Sequence, residues 1–286
     1  LFSGSFIFLC IAHLALGAAL ACYQYFRFAA AETVSTEWRP VAISLMLTSG
    51  LIAAFVGPQM FIVAKDAFAQ VPLAGAYAAL VAFSLIGLIP LALTKLPNPP
   101  KITPRSLKQR LSSLSVLKRK PIRLAVGLGA VSQGIMVFLM VPTPLAMIGY
   151  DFSEAIAGDV IRWHVVAMFA PSFFTGFLIK KFGVKPIAMI GIALLVVSSI
   201  AALSGLTSVH FYGSLILLGI GWNFGFIGAT TMLADAYKPQ ERGKVQGIND
   251  LFVFGSVTVA SFASGGLMNC SGGSVVSGWI SVNLAM

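Results

Sequence analysis

The feature that most constrains this chain is a charged pattern carried twice, each time between two long apolar stretches. Ala31-Glu32 is followed after six residues by Arg39, and Ala234-Asp235 is followed after six residues by Arg242. Both charges are displaced by 203 positions. An acid and an arginine at equal spacing between apolar spans make the two parts of the chain copies of one membrane unit. Parallel repeats of this kind mark secondary transporters, whose solute site lies between the copies.

Composition supports a bilayer setting. Hydrophobic residues make up 58% and charged residues 10%, against roughly half and a quarter in soluble domains. The net charge of +10 does not point to nucleic acid, because a nucleic-acid footprint needs basic residues on an exposed polar face. Here they sit in short connectors. Cys10 and Cys22 fall inside the first apolar span and Cys270 in a Gly/Ser-rich connector, so neither metal-ligand spacing nor a disulfide framework appears. No metal and no cofactor is expected.

Apolar runs long enough to cross a bilayer, about 18 residues or more, occur near 3–28, 41–63, 73–94, 122–147, 161–179, 186–205, 211–234 and 246–268. These predict eight helices, and Gly278-Trp279 starts a ninth apolar run. Residue 1 already lies at the edge of a span and lacks the basic region of a signal peptide, so more chain is expected before it. Of the 19 Lys and Arg, 17 fall in alternate connectors or at their edges, with only Lys65 and Arg162 outside. By the positive-inside rule those connectors are cytoplasmic. Cys270 is then exterior and Lys108 interior.

The connector after residue 94 begins with Pro97, Pro99, Pro100 and Pro104, which discourage a continuous helix. After them Leu107, Leu111, Leu114 and Leu117 recur at helical spacing beside Arg105, Lys108, Arg110 and Lys118. Two readings stand, a short helix on the anionic inner leaflet and a solvated basic linker. Either way, residues 95–121 separate a first half, 1–94, from a second, 122–286.

Several motifs resemble the major facilitator superfamily. Gly176-x-Leu178-x-x-Lys181-x-Gly183-x-Lys185-Pro186 is similar to that family's cytoplasmic loop motif, with Lys180 where the family often has Asp. Gly57-Pro58 is similar to the start of its fifth-helix antiporter motif, without the Gly-Gly that normally follows, so no antiport direction is carried over. The stretch Gly221-Trp222-Asn223 through Asp235, Glu241-Arg242-Gly243 and Gly247-Ile248-Asn249-Asp250 is similar to the tenth and eleventh helices of bacterial members. The resemblance implies an all-α membrane protein of two parallel six-helix repeats around a central cavity. On that map the chain supplies helices 4 to 11 and the start of 12, with helices 1–3 and most of helix 12 absent. It also implies a multi-pass protein of the bacterial inner membrane, monomeric, binding no nucleic acid and not an enzyme.

Ionisable and strongly polar residues inside spans are functional candidates by default, because they are costly in hydrocarbon. Asp250, near the inner end of its span, is the candidate for proton coupling; the alternative is a cytoplasmic-end residue pairing with Arg242 or Lys244. Asn223, mid-span among Trp222, Phe224 and Phe226, offers donors, an acceptor and a stacking face to an organic solute. Gln133 and Trp222 could share that site, and His13, deep in the first span, could contact solute or relay protons. For Asn223, Gln133 and His13 the structural alternative is an interhelical hydrogen bond. His164 and His210 are placed at outer ends, and Pro142, Pro144 and Pro171 at kinks. The matched pairs Glu32/Arg39 and Asp235/Arg242 are expected to act as cytoplasmic latches, made in one state and broken in the other; the alternative is topology anchoring by the arginines.

These readings point to a secondary transporter of a small organic solute working by alternating access, possible substrates being a flavin-like vitamin, a drug-like cation or a sugar. A cation would want a deep carboxylate, which tilts the choice toward a neutral or weakly anionic metabolite. The rival class, an intramembrane protease or haem carrier, needs paired acids or facing histidines. A nonfunctional transporter remnant is the third reading.

Overall fold

A computed structural model describes residues 4–68, 70–71, 73–93, 113–270 and 274–286. Every regular element among the described residues is helical, as hydrocarbon requires, since a helix satisfies its backbone polar groups within one segment. The first half holds α1 (Phe6–Gln24), α2 (Phe26–Glu32), α3 (Arg39–Ala64) and α4 (Ala74–Leu93). The second holds α5 (Lys120–Met140), α6 (Thr143–Gly149), α7 (Glu154–Phe169) and α8 (Ser172–Phe182). It continues with α9 (Val184–Leu203), α10 (Ser208–Ala236), α11 (Arg242–Cys270) and α12 (Val275–Leu284). Among the described residues, seven stretches are long and apolar enough to cross a membrane, and α4 and α12 carry shorter apolar runs.

The expected kinks at Pro142 and Pro171 interrupt the hydrogen-bond ladder, while each span runs on past its proline with helical backbone angles. Each proline lacks the N–H that would continue the ladder, and each becomes the residue preceding a new helix, α6 or α8. The span expected at 161–179 starts instead at Glu154, where the backbone N–H of Ile156 donates to the Ser153 hydroxyl as an N-cap. Glu154 and Asp159 had hidden this outer turn from an apolar reading. Asp159 takes hydrogen bonds from Arg162 (3.0 Å) and the Tyr212 hydroxyl (2.6 Å), which makes a charge tolerable there. His164 accordingly lies well inside α7, fully buried, and not at an outer end. Cys270 closes α11. Most of the basic connector, Lys108 included, lies outside the described residues; its end, Ser113–Lys118, is a 3-10 turn whose Val116 packs with Phe28, Ile122 and Val245.

α10 is the centre of the second half, packed by α5, α7 and α9. Its glycines let the backbones meet: a Cβ on Gly191 would lie 2.6 Å from the Gly225 nitrogen, and one on Gly221 2.9 Å from the Gly191 carbonyl oxygen. The two halves cross in the same way where α8 meets α3. A Cβ on Gly176 would lie 2.5 Å from the Pro40 carbonyl oxygen and 2.6 Å from the Val41 Cα, so residue 176 of the supposed loop motif is a helix-crossing glycine. The motif ends the helix at Gly183, whose φ of +87° suits a residue without a side chain.

Candidate functional site

The two repeated charge pairs do not close on themselves. Arg39 Nη1 donates to Asp235 Oδ1 at 2.9 Å, and Arg242 Nη1 donates to Glu32 Oε2. Each acid therefore meets the arginine of the other copy, which corrects the expected pairing within each half. The equal spacing explains the exchange: when two copies face each other about a pseudo-twofold axis, an acid at one copy's helix end lies opposite the other copy's arginine. Arg39 also reaches the Ala234 carbonyl (3.3 Å) in the last turn of α10, where a cation meets the negative end of the helix dipole. Glu32, Arg39, Ala234 and Arg242, with Tyr237 and Pro239, line a cavity of about 280 Å³. Burial pushes the Tyr237 phenol up to about 12, so it is an uncharged acceptor for the Gln246 amide (2.6 Å) at physiological pH.

Deeper between the halves lies a contact absent from the expectations. Asp250 pairs with Arg27 at 2.9 Å, with side-chain exposures of 9% and 2%, while Arg242, an expected partner, pairs with Glu32. Arg27 also donates to Gln24 Oε1 (2.9 Å), and Asn249 Nδ2 donates to Asp250 Oδ1 (3.0 Å). The guanidinium carbon lies 4.6 Å from the Phe226 ring centroid and 4.7 Å from that of Phe28, where a planar cation gains from the ring faces. Arg27 Nε and Asp250 Oδ2 have no hydrogen-bond partner among the described residues. A signal for this pair is present in the sequence: Arg27 lies in the predicted span 3–28, an ionisable residue in hydrocarbon, although the positive-inside count treats it as a topology charge.

Asn223 is placed differently from its expected role. It is fully buried, its Nδ2 donates to the Met168 carbonyl and the Ser172 hydroxyl, and its Oδ1 accepts from Thr175, all at 2.7 Å. The amide clasps the break at Pro171, where interrupted helix leaves groups to satisfy, so in this conformation it offers no donor to a solute. Trp222 and Gln133 do come together: Trp222 Nε1 donates to Gln133 Oε1 at 2.7 Å. Trp222 stacks on Phe226 (4.9 Å, 15°) and receives Phe169 edge-on (5.7 Å, 78°).

His13 is exposed on α1, with Nε2 3.1 Å from the Tyr77 hydroxyl of α4, in a cleft of about 360 Å³ between these helices. It is thus apart from the aromatic cluster. His164 Nδ1 lies 2.7 Å from the Leu215 carbonyl, a packing bond between α7 and α10, and His210 Nδ1 lies 2.7 Å from the Thr207 hydroxyl. Of the loop-motif residues, Lys181 lies over the Phe182 ring (5.2 Å) and Lys185 starts α9. Lys180, at the family's usual Asp position, places its ammonium 3.3 Å from the Trp38 ring centroid of the first half. Ser44 of α3 donates to the Ser172 carbonyl and accepts from the Gly176 N–H (2.9 Å).

The profile of the Major Facilitator Superfamily matches residues 144–286. The chain is 41% identical to the riboflavin transporter RfnT of Brucella anthropi over 275 residues, 95% of this chain and 68% of that protein. It is 29% identical to YddS of Bacillus subtilis, an uncharacterized transporter of the same type, over 88% of this chain and 60% of the other. A second such transporter of that organism, YdeG, is 28% identical over 96% of this chain and 65% of its own length.

Proposed function

The chain belongs to the major facilitator superfamily, and from that premise we propose that it carries a flat, flavin-type heteroaromatic solute across the membrane by alternating access. The coarser statement stands on the family: this is a multi-pass transporter of small solutes in the bacterial inner membrane, not an enzyme. The finer one rests on the aromatic stack of Trp222 and Phe226, roughly 15 to 20 Å in from the inner end of α10 by helical rise. Stacked rings with the Gln133 amide at their edge suit a planar solute carrying hydrogen-bonding groups. The likeness to RfnT, which by its name transports riboflavin, supports the same substrate class.

The state of the molecule fits a carrier sealed on its cytoplasmic side. Glu32, Arg39, Trp38, Ser44 and Arg27 of the first half all engage the second. Asp250, held by a residue of the opposite half, is the candidate for coupling to protons, because parting the halves would strip it of its countercharge. The protein acts as a monomer in this reading, with the basic residues of 95–121 facing anionic lipid.

The test is riboflavin uptake by a riboflavin-auxotrophic bacterium producing the full chain. Saturable, uncoupler-sensitive uptake is expected; uptake no greater than in cells without the protein, with the protein present in the membrane, ends the flavin reading. Asp250→Asn should spare riboflavin exchange while abolishing accumulation against a gradient. Normal accumulation would make Asp250 structural.

A further inference from the structure

The indole N–H of Trp222 fixes which way the Gln133 amide points. An indole nitrogen only donates, so the Gln133 atom 2.7 Å from Trp222 Nε1 is the amide oxygen and not the nitrogen. Trp222 is buried, and a buried indole N–H keeps its acceptor because buried polar groups are costly to leave unpaired. The amide nitrogen is thereby turned away from the indole. Gln133 is half-buried and makes no other hydrogen bond among the described residues, so its two N–H groups remain for a solute. Asn223, one residue along α10, is the contrast: both ends of its amide are used within the second half.

The place is the seam between the halves. Phe169, edge-on to Trp222, stands against α3 of the first half, where a Cβ on Gly50 would lie 2.6 Å from its ring. Gln133 stands roughly 20 Å along α5 from the cytoplasmic end, and Asp250 roughly 12 Å along α11 from its own. The amide is therefore on the outer side of the inner pair that helps to seal the cytoplasmic side. A solute held by Gln133 is compatible with the sealed state, and parting the halves below it leads to the cytoplasm, as alternating access requires.

We infer that Gln133 is a specificity-determining residue of the carrier, reading a hydrogen-bond acceptor on the edge of the solute ring, and that Trp222 is its positioning residue. This rests on the flavin reading and deepens it, because it assigns the kind of solute edge that the site recognises. A free glutamine amide turns over and offers oxygen or nitrogen to suit either kind of edge. One whose oxygen is committed to an indole offers N–H alone. A flavin ring carries two carbonyl oxygens, and each accepts such a donor without bearing a charge. A ring of the same outline with donors at that edge would set N–H against N–H and is rejected.

Calorimetric titration of the full chain purified in detergent, with riboflavin and with its 2-thio and 4-thio analogues, tests this. Sulfur in place of a carbonyl oxygen nearly keeps the outline of the ring and weakens the acceptor. The parent should bind one of the analogues about ten-fold more weakly than riboflavin. Gln133→Met, close in size but without the amide, should bind riboflavin about ten-fold more weakly and should prefer it to either analogue by no more than about two-fold. A purely structural role for Gln133 would weaken all three ligands alike and keep the preference. Trp222→Phe keeps an aromatic ring and loses the N–H, and should reduce the preference to about three-fold by freeing the amide to turn. The preference is a ratio within one variant, so a loss of folded protein does not alter it. Should Gln133→Met fail to fold, Gln133→Met with Trp222→Phe leaves no indole donor unpaired and is measured in its place, with the same loss of preference expected. Where the parent binds riboflavin, the absence of a preference over both analogues, or a full preference in any of these variants, overturns the inference and leaves the flavin reading intact. A parent that does not bind riboflavin overturns both.

Discussion

Arg27–Asp250 and the crossed pairs Glu32–Arg242 and Asp235–Arg39 join the same two halves, but they do so in different media. The crossed pairs sit at the rim, with side chains 28–45% exposed, where water and salt screen most of the attraction and a pair contributes about 0.2–1 kcal/mol. Arg27 and Asp250 are nearly sealed, and there the pair's net contribution is small while the loss of one partner is severe. Like chemistry thus gives two devices: a rim that tunes an equilibrium and an inner pair that neither half can hold unpaired.

The largest effect should come from breaking the inner pair on one side. Arg27→Met leaves a carboxylate uncompensated between the halves and is expected to cost about 3–5 kcal/mol, read as a lower unfolding temperature of the purified protein. Arg27→Met with Asp250→Asn should recover most of that loss. A single variant as stable as the parent would remove the distinction between inner pair and rim.

Asn223→Ala sharpens the comparison with a buried but uncharged group inside one half. It strands the Ser172 hydroxyl and the Met168 carbonyl, while the Thr175 hydroxyl keeps the Pro171 carbonyl, and should cost about 1–3 kcal/mol of stability while leaving riboflavin affinity near that of the parent. Weakened riboflavin binding in a variant of normal stability would return Asn223 to the solute site. The smallest effect belongs to the rim. Arg242→Ala should leave stability nearly unchanged and raise, by up to about five-fold, the labelling of a cysteine placed at Ala234 by an impermeant reagent added from the cytoplasmic side. Labelling unchanged from the parent would make the rim a static topology anchor.

The spans were legible because the bilayer imposes a length and an apolar composition that few other constraints imitate. The boundary at Glu154 was not, since two acids made a true helical turn resemble a loop. The repeat was visible as equal spacing, but its pairing was not, because spacing along one copy carries no information on which copy its charges face. Asn223 was misplaced for a related reason: depth in the membrane and aromatic neighbours follow from sequence, whereas the helix break that consumes its amide depends on how α7 and α8 pack against α10. Trp222 and Gln133 lie on different helices, α10 and α5, so only the packed bundle shows that they meet, as it shows that Arg27 lies over the Phe226 ring.

The crossed rim has a consequence for how such a chain changes over generations. A loss of charge at Arg242 cannot be answered seven residues upstream at Asp235; it has to be answered at Glu32, 210 positions away. Arg39 is bound in the same way to Asp235. Substitutions in related sequences should therefore covary between the copies and not within them, so the two repeats, although descended from one unit, are no longer free to diverge separately at these four sites.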